Sequence, residues 1–145
     1  MAGYSGTPLS KKLGIKPGAA LHLVNAPPDA ESWLAPLPEG VSRPKPGTQN
    51  LDVVVVFTTQ TVDLTRRFET LRRALKPTGG LWVSWPKKSA SAKRLRAGPN
   101  SAVPTDLDEN IIRAIGLKLG LVDNKVCAVS EVWSGLRFVW RVKDR

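Results

Sequence analysis

The apolar positions of this chain fall into short runs and stripes, and their period predicts the elements. Leu9 and Leu13 share a helical face; Thr7-Pro8 before them suits a capped helix start, and Gly14 fits the stop. Lys16-Pro17-Gly18 reads as a turn, Ala19–Val24 as a short strand, and the stretch through Ser32, Trp33 and Leu34 as a short helix. Leu37–Val41 reads as a weak edge strand and Arg43–Asn50 as a loop broken by prolines and a glycine. Asp52–Phe57 is the clearest strand. Its valines run without alternation, so both faces should be covered, as in a parallel sheet with helices on each side.

Thr61 then reads as a helix cap, followed by a stripe of Leu64, Phe68, Leu71 and Leu75, with Arg66, Arg67, Arg72 and Arg73 off the stripe. Lys76-Pro77-Thr78-Gly79-Gly80 should end that helix and open a central buried strand, Leu81 to Trp85. Pro86 stops the strand, and Lys87 and Lys88 stand just beyond it. Ser89–Pro104 is small, polar and basic, and reads as a mobile loop over 89–104. Thr105 should cap the next helix, with Asp106, Asp108 and Glu109 in its first turn. Leu107, Ile111, Ile115 and Leu119 form its predicted buried stripe, Ile112 lies beside it, and Gly120 closes it. Lys125–Trp133 and Leu136–Val142 read as two strands joined at Ser134-Gly135. The order predicts a single α/β domain over 1–145, three-layer and Rossmann-like, with a mostly parallel sheet and a C-terminal antiparallel hairpin.

Composition narrows the partners. The formal net charge of +10 favours anionic partners such as nucleic acid, nucleotides or acidic proteins. The longest unbroken apolar run, Val53–Phe57, is far short of the roughly 20 residues of a membrane span. Met1–Gly6 lacks the apolar core of a secretion signal, and the expected location is cytoplasmic. One cysteine, Cys127, and one histidine, His22, cannot build a disulfide framework or a usual zinc site, and no metal is expected.

Three pieces resemble the class I methyltransferase-like branch of Rossmann folds: Gly14-Ile15-Lys16-Pro17-Gly18 before the first strand, Leu75–Gly80 before a late strand, and the closing hairpin. The chain also resembles, over nearly its whole length, a family of small bacterial proteins without a settled activity. The segments carrying that likeness are Tyr4–Leu9, Leu23–Pro27, Trp85–Lys88, Thr105–Leu107, Leu121–Ala128 and Trp133–Leu136, with Ser91–Ala102 as an insertion. The methyltransferase resemblance implies S-adenosylmethionine held by a glycine-rich loop after the first strand. Here that place is taken by Asn25-Ala26-Pro27-Pro28, with no glycine and two missing amides. An acid to hold the ribose is not evident, Glu39 being the nearby candidate. The expectation is therefore no cofactor, with S-adenosylmethionine disfavoured.

Ligands of open α/β sheets sit beyond the C-terminal strand ends. There Lys87 and Lys88 would supply charge for an anionic ligand and Trp85 a stacking platform. Asn25 and the Thr58-Thr59 pair follow two parallel strands and would add polar contacts. Asp123 belongs either to a turn or to the same crevice. No catalytic residues are assigned. The reading is a non-catalytic methyltransferase-like domain that binds an anionic ligand, nucleic acid or a protein partner at this edge. The alternatives are a transferase-like enzyme with an atypical adenosyl- or phosphate-containing ligand, and an interaction module that self-associates through the hairpin face.

Overall fold

A strand with an unbroken apolar run must bury both faces, because successive side chains point to opposite sides. The computed structural model, which describes residues 8–87 and 104–145, places that run in β2 (Leu51–Phe57). Val54 and Val56 pack with Leu64 and Phe68 of α3 (Thr61–Ala74) and with Ile112 of α4 (Glu109–Lys118). Val53, Val55 and Phe57 face the other way. They pack with Leu9 of α1 (Leu9–Lys12) and with Ala30 and Leu34 of α2 (Ala30–Leu34).

The sheet also contains β1 (Leu21–Val24), β3 (Leu75–Pro86), β4 (Leu121–Ala128) and β5 (Trp133–Trp140), in the order β1-β2-β3-β5-β4. Pairs β1–β2 and β2–β3 are parallel, whereas β3–β5 and β5–β4 are antiparallel. β1, β2, β3 and β4 thus run in one direction and β5, inserted by the C-terminal hairpin between β3 and β4, runs against them, so the sheet is mixed, with one antiparallel strand in an otherwise parallel set. Trp82 of β3 anchors α1: its buried indole Nε1–H donates to Leu13 O at 2.9 Å.

Several boundaries differ from the sequence reading, each for a local reason. The edge strand expected over Leu37–Val41 is reduced to one parallel bridge, Ala20 to Ser42. Pro36 and Pro38 lack amides for a ladder, and Gly40 turns with φ 77°. The predicted turn at Ser134-Gly135 lies inside β5. The hairpin turns instead between Val129 and Trp133, where Ser130 Oγ accepts the amides of Val132 and Trp133. Gly135 is needed there for space, since a Cβ would stand 3.0 Å from a Trp82 ring carbon.

Capping also differs. Asp108 rather than Thr105 caps α4, its Oδ1 accepting Ile111 N at 2.8 Å. Asp106 serves another helix: its Oδ1 accepts Thr61 N at 2.7 Å, so α3 is capped from 45 residues away and not by Thr61. Thr105 Oγ1 donates to Thr59 O at 2.7 Å, pinning the same loop. The buried side of α4 is Ile112 and Gly116, while Ile111 is exposed. The Thr7 cap, Lys88 and, but for Pro104, the basic 89–104 loop lie outside the described residues.

Candidate functional site

The short bridge at Ser42 has a topological consequence. After β1 the chain passes through α2, touches the outer side of β1 at Ser42, and then crosses back to form β2 on the inner side. The direction of travel across the sheet reverses between β1 and β2. Such a reversal splays the connections apart and opens a crevice at the C-terminal strand ends.

Asn25 follows β1 directly and adopts a left-handed conformation, φ 61°. Asparagine tolerates this region better than most non-glycine residues, so Asn25 makes a turn usually given to glycine. Its Nδ2 leans across to Phe57 O at the end of β2, at 3.4 Å. A cleft of about 380 Å³ opens at this place, lined by Asn25, Phe57, Thr58, Gln60, Asp63, Arg66 and Trp133, among others. The Phe57 and Trp133 rings meet edge-on, 5.3 Å between centroids at 81°. One wall is therefore aromatic and the other polar and charged.

Asp63, in the first turn of α3, is the carboxylate of this lining. Its Oδ2 accepts from Thr58 Oγ1 at 2.8 Å, and its Oδ1 accepts from Arg67 Nε at 2.8 Å. Burial pushes its pKa up, but the hydrogen bonds from Arg67 and Thr58 and the nearby guanidinium charge outweigh this. The pKa lies below the ordinary 3.8. Asp63 is held ionised. Arg66 reaches the same oxygen only at 3.4 Å and stays exposed, so most of its donors face the cleft mouth and solvent.

The predicted site residues divide. Asn25 and Thr58 share the cleft. Trp85 does not offer a platform, because it is 7% exposed and belongs to the core beneath α3 and α4. Lys87 is turned to the hairpin: its amide donates to Val132 O at 2.8 Å and its Nζ approaches Ser130 O at 3.5 Å. Asp123 lies in the N-terminal half of β4, away from the crevice, and holds Arg113 Nε at 2.9 Å. The glutamate considered for a ribose, Glu39, is also at the wrong end, since its carbonyl accepts Gly18 N ahead of β1. The cations at the end of α3 and the start of β3 are paired: Arg72 and Arg73 bind Glu69, and Lys76 binds Asp52. Sequence reasoning missed Asp63, Arg66 and Trp133 as cleft residues. The first two carried a signal, a carboxylate and arginines three and four residues apart just after a strand end, whereas Trp133 comes from the hairpin and carried none.

No family model matches the chain, and neither does any curated protein. The resemblance to small bacterial proteins therefore has no family match behind it. Solved structures do match. A SAM-dependent methyltransferase from Aquifex aeolicus aligns with a TM-score of 0.58 at 16% identity, over 88% of this chain and 85% of that one. Magnesium protoporphyrin IX methyltransferase from Synechocystis PCC 6803, solved with bound SAH, aligns with a TM-score of 0.57 at 13% identity, over 92% and 78%. A chain from the complex of the Haloferax volcanii Trm112 methyltransferase activator with a methyltransferase aligns with a TM-score of 0.60 at 11% identity, over 90% and 86%.

These neighbours correct two expectations. The lean away from an enzyme is overturned, because these three structural neighbours are methyltransferases. The expectation of no cofactor is overturned with it, since one of these neighbours is SAM-dependent and another holds SAH. The physical ground for that expectation was weak as well: with Asn25 in the left-handed region, the missing glycine does not close the crevice. At these identities the likeness speaks to the fold, and the chain has a methyltransferase-like α/β fold.

Proposed function

We propose that this chain is a methyltransferase-like domain that binds an S-adenosyl ligand in the cleft between the C-terminal ends of β1 and β2. The observation that carries this reading is the cleft itself. It lies at a strand-order reversal, is of ligand size, and joins an aromatic wall to one fixed carboxylate and one exposed arginine.

The residues fit the chemistry of such a ligand. Arg66 suits the amino-acid carboxylate, because an exposed guanidinium presents paired donors to a planar anion. Asp63 suits a cationic group, since its lowered pKa keeps it charged and Oδ2, which accepts only from Thr58, retains acceptor capacity. The half-buried Trp133 ring, backed by Phe57, suits adenine or the sulfonium charge. The lining has no carboxylate beyond Asp63 for a ribose diol, so binding is expected to be weaker than in a site with a separate acid for it. When bound, such a ligand supplies a methyl group activated on sulfur. Asp63 is a poor general base, because a base works best with a pKa near the operating pH. The chain's own contribution is then placement: orienting donor and acceptor and excluding water.

Calorimetric titration with S-adenosylmethionine and SAH tests this. Both should bind with one site per chain, and Arg66→Gln should weaken both by about tenfold, as loss of a charge-assisted bond would. Absence of heat and of any melting shift at millimolar ligand would sink the proposal.

A further inference from the structure

Carboxylates hold most of the described arginines of this protein, and one half-buried arginine, Arg137, stands outside these pairs. The sequence has no Asp or Glu in 1–7 or 88–103, so every side-chain acid lies in the described residues. Arg113, for example, is held by Glu109 and Asp123, and Arg43 by Glu31. Arg137 has no carboxylate partner among the described residues. Its Nη1 reaches only Asn124 Oδ1, at 3.4 Å.

The arginine is also half-buried. It sits beside Trp82 in the sheet, on the face that carries α1, and its side chain lies flat across Gly80. A Cβ on Gly80 would stand 2.5 Å from Arg137 Nε. Directly opposite on β4 is Lys125, exposed, with its Nζ donating to Lys12 O at 3.2 Å. Arg145 completes the group from the chain end, its Nε donating to Trp140 O at 3.0 Å. Burial, and then the charge of Arg145, push the Arg137 pKa down. Nothing acidic offsets them. Taking a cation partly out of water beside like charges disfavours the folded state, and an external anion would remove that penalty.

We propose that Arg137, Lys125 and Arg145 form a docking surface for a nucleic-acid phosphate backbone, on the α1 face of the β4–β5 hairpin and separate from the cleft lining. The cations are spread along two strands and the chain end, which suits a linear array of phosphates. The flat guanidinium over bare glycine backbone suits the bidentate capture of one phosphate. The net charge of +10 adds long-range attraction of the same sign.

The test is fluorescence anisotropy on the full chain with labelled single-stranded RNA of mixed sequence, alongside DNA of the same sequence and poly-glutamate, across a salt series. Affinity for RNA or DNA should fall steeply with salt. Arg137→Gln and Lys125→Gln should each reduce the slope of log K on log salt by about 1. Lys45→Gln removes the same charge from the exposed 43–50 loop and should leave the slope unchanged. Arg137→Gln should melt no lower than the parent, because no ion pair is lost; if it fails to fold, Lys125→Gln carries the test. Equal losses in all three variants would reduce the effect to net charge and overturn the proposal. So would an absence of nucleic-acid binding at low salt, or a preference for poly-glutamate, which would indicate an acidic protein partner. None of these outcomes depends on whether the cleft takes an S-adenosyl ligand.

Discussion

Asp63 shows how one residue can carry both local structure and a site. It stands in the first turn of α3, where the helix dipole favours a negative charge, and it ties Thr58 at the end of β2 to Arg67 on the helix. Its folded-state pKa lies below its unfolded value. A depressed carboxylate contributes stability that is fully present above the unfolded value and is lost as pH falls through the folded one. The melting temperature of the parent should therefore fall on acidification below about pH 5. In Asp63→Asn that fall should be shallower, though still present, because Glu31 and Glu69 are also depressed, by hydrogen bonds from Arg43 and Arg72. Calorimetric melting in steps from neutral to strongly acidic buffer measures it; parallel curves for the two proteins would remove Asp63 from the acid response. The pairing itself was legible as a spacing of four in the sequence. Its link to Thr58 was not, because that depends on how the β2 end meets the helix.

At the scale of elements, helix α4 separates propensity from packing. Gly116 lies in its interior, where alanine would be better by about 1 kcal/mol on helix propensity alone. Yet a Cβ at this position would stand 2.1 Å from Phe138 Cε1. Phe138 is fully buried and meets Phe68 edge-on at 5.4 Å, so it cannot move aside cheaply. Packing should win: Gly116→Ala is expected to be destabilising by about 1–3 kcal/mol, read from urea unfolding. An unchanged or raised midpoint would mean that helix and sheet are not seated as described. The same contact explains why Ile111 of the predicted stripe is exposed, although Leu107 is buried and Ile115 and Leu119 pack against the core. The apolar pattern fixed the existence of the helix, but its phase was set by where a residue without a side chain allows close approach. Existence was likewise legible for β2 and α3, whose signals are local. The hairpin turn was not, since Ser134-Gly135 looks like turn chemistry and only the packing of Trp82 shows that Gly135 is a strand residue making room.

Across the whole molecule, a few backbone contacts decide where the site is. The reversal of direction between β1 and β2 rests on the single bridge from Ala20 to Ser42, and the cleft opens at the far end of those strands. Asp106 and Thr105, which follow the second sheet crossing, are bonded to Thr61 and Thr59, so the cleft floor is fixed by distant parts of the chain. Asn25 and Thr58 could be placed at this edge from the sequence because both follow parallel strands. Trp85 and Lys87 were drawn into it by position alone, and side-chain direction along β3 sends one to the core and the other to the hairpin. Among the described residues, no helix is long and apolar enough to cross a membrane.

The central claim is that the cleft between β1 and β2 is the place of an S-adenosyl ligand. Its most direct test is a nitrogen-15 NMR titration with SAH. The account predicts that the Trp133 indole, the Asn25 side-chain amide and the backbone amides of 58–63 shift together and saturate with one affinity, while the Trp85 indole and the Arg137 amide stay still. Shifts confined to other parts of the sheet, or none at saturating ligand, would contradict it.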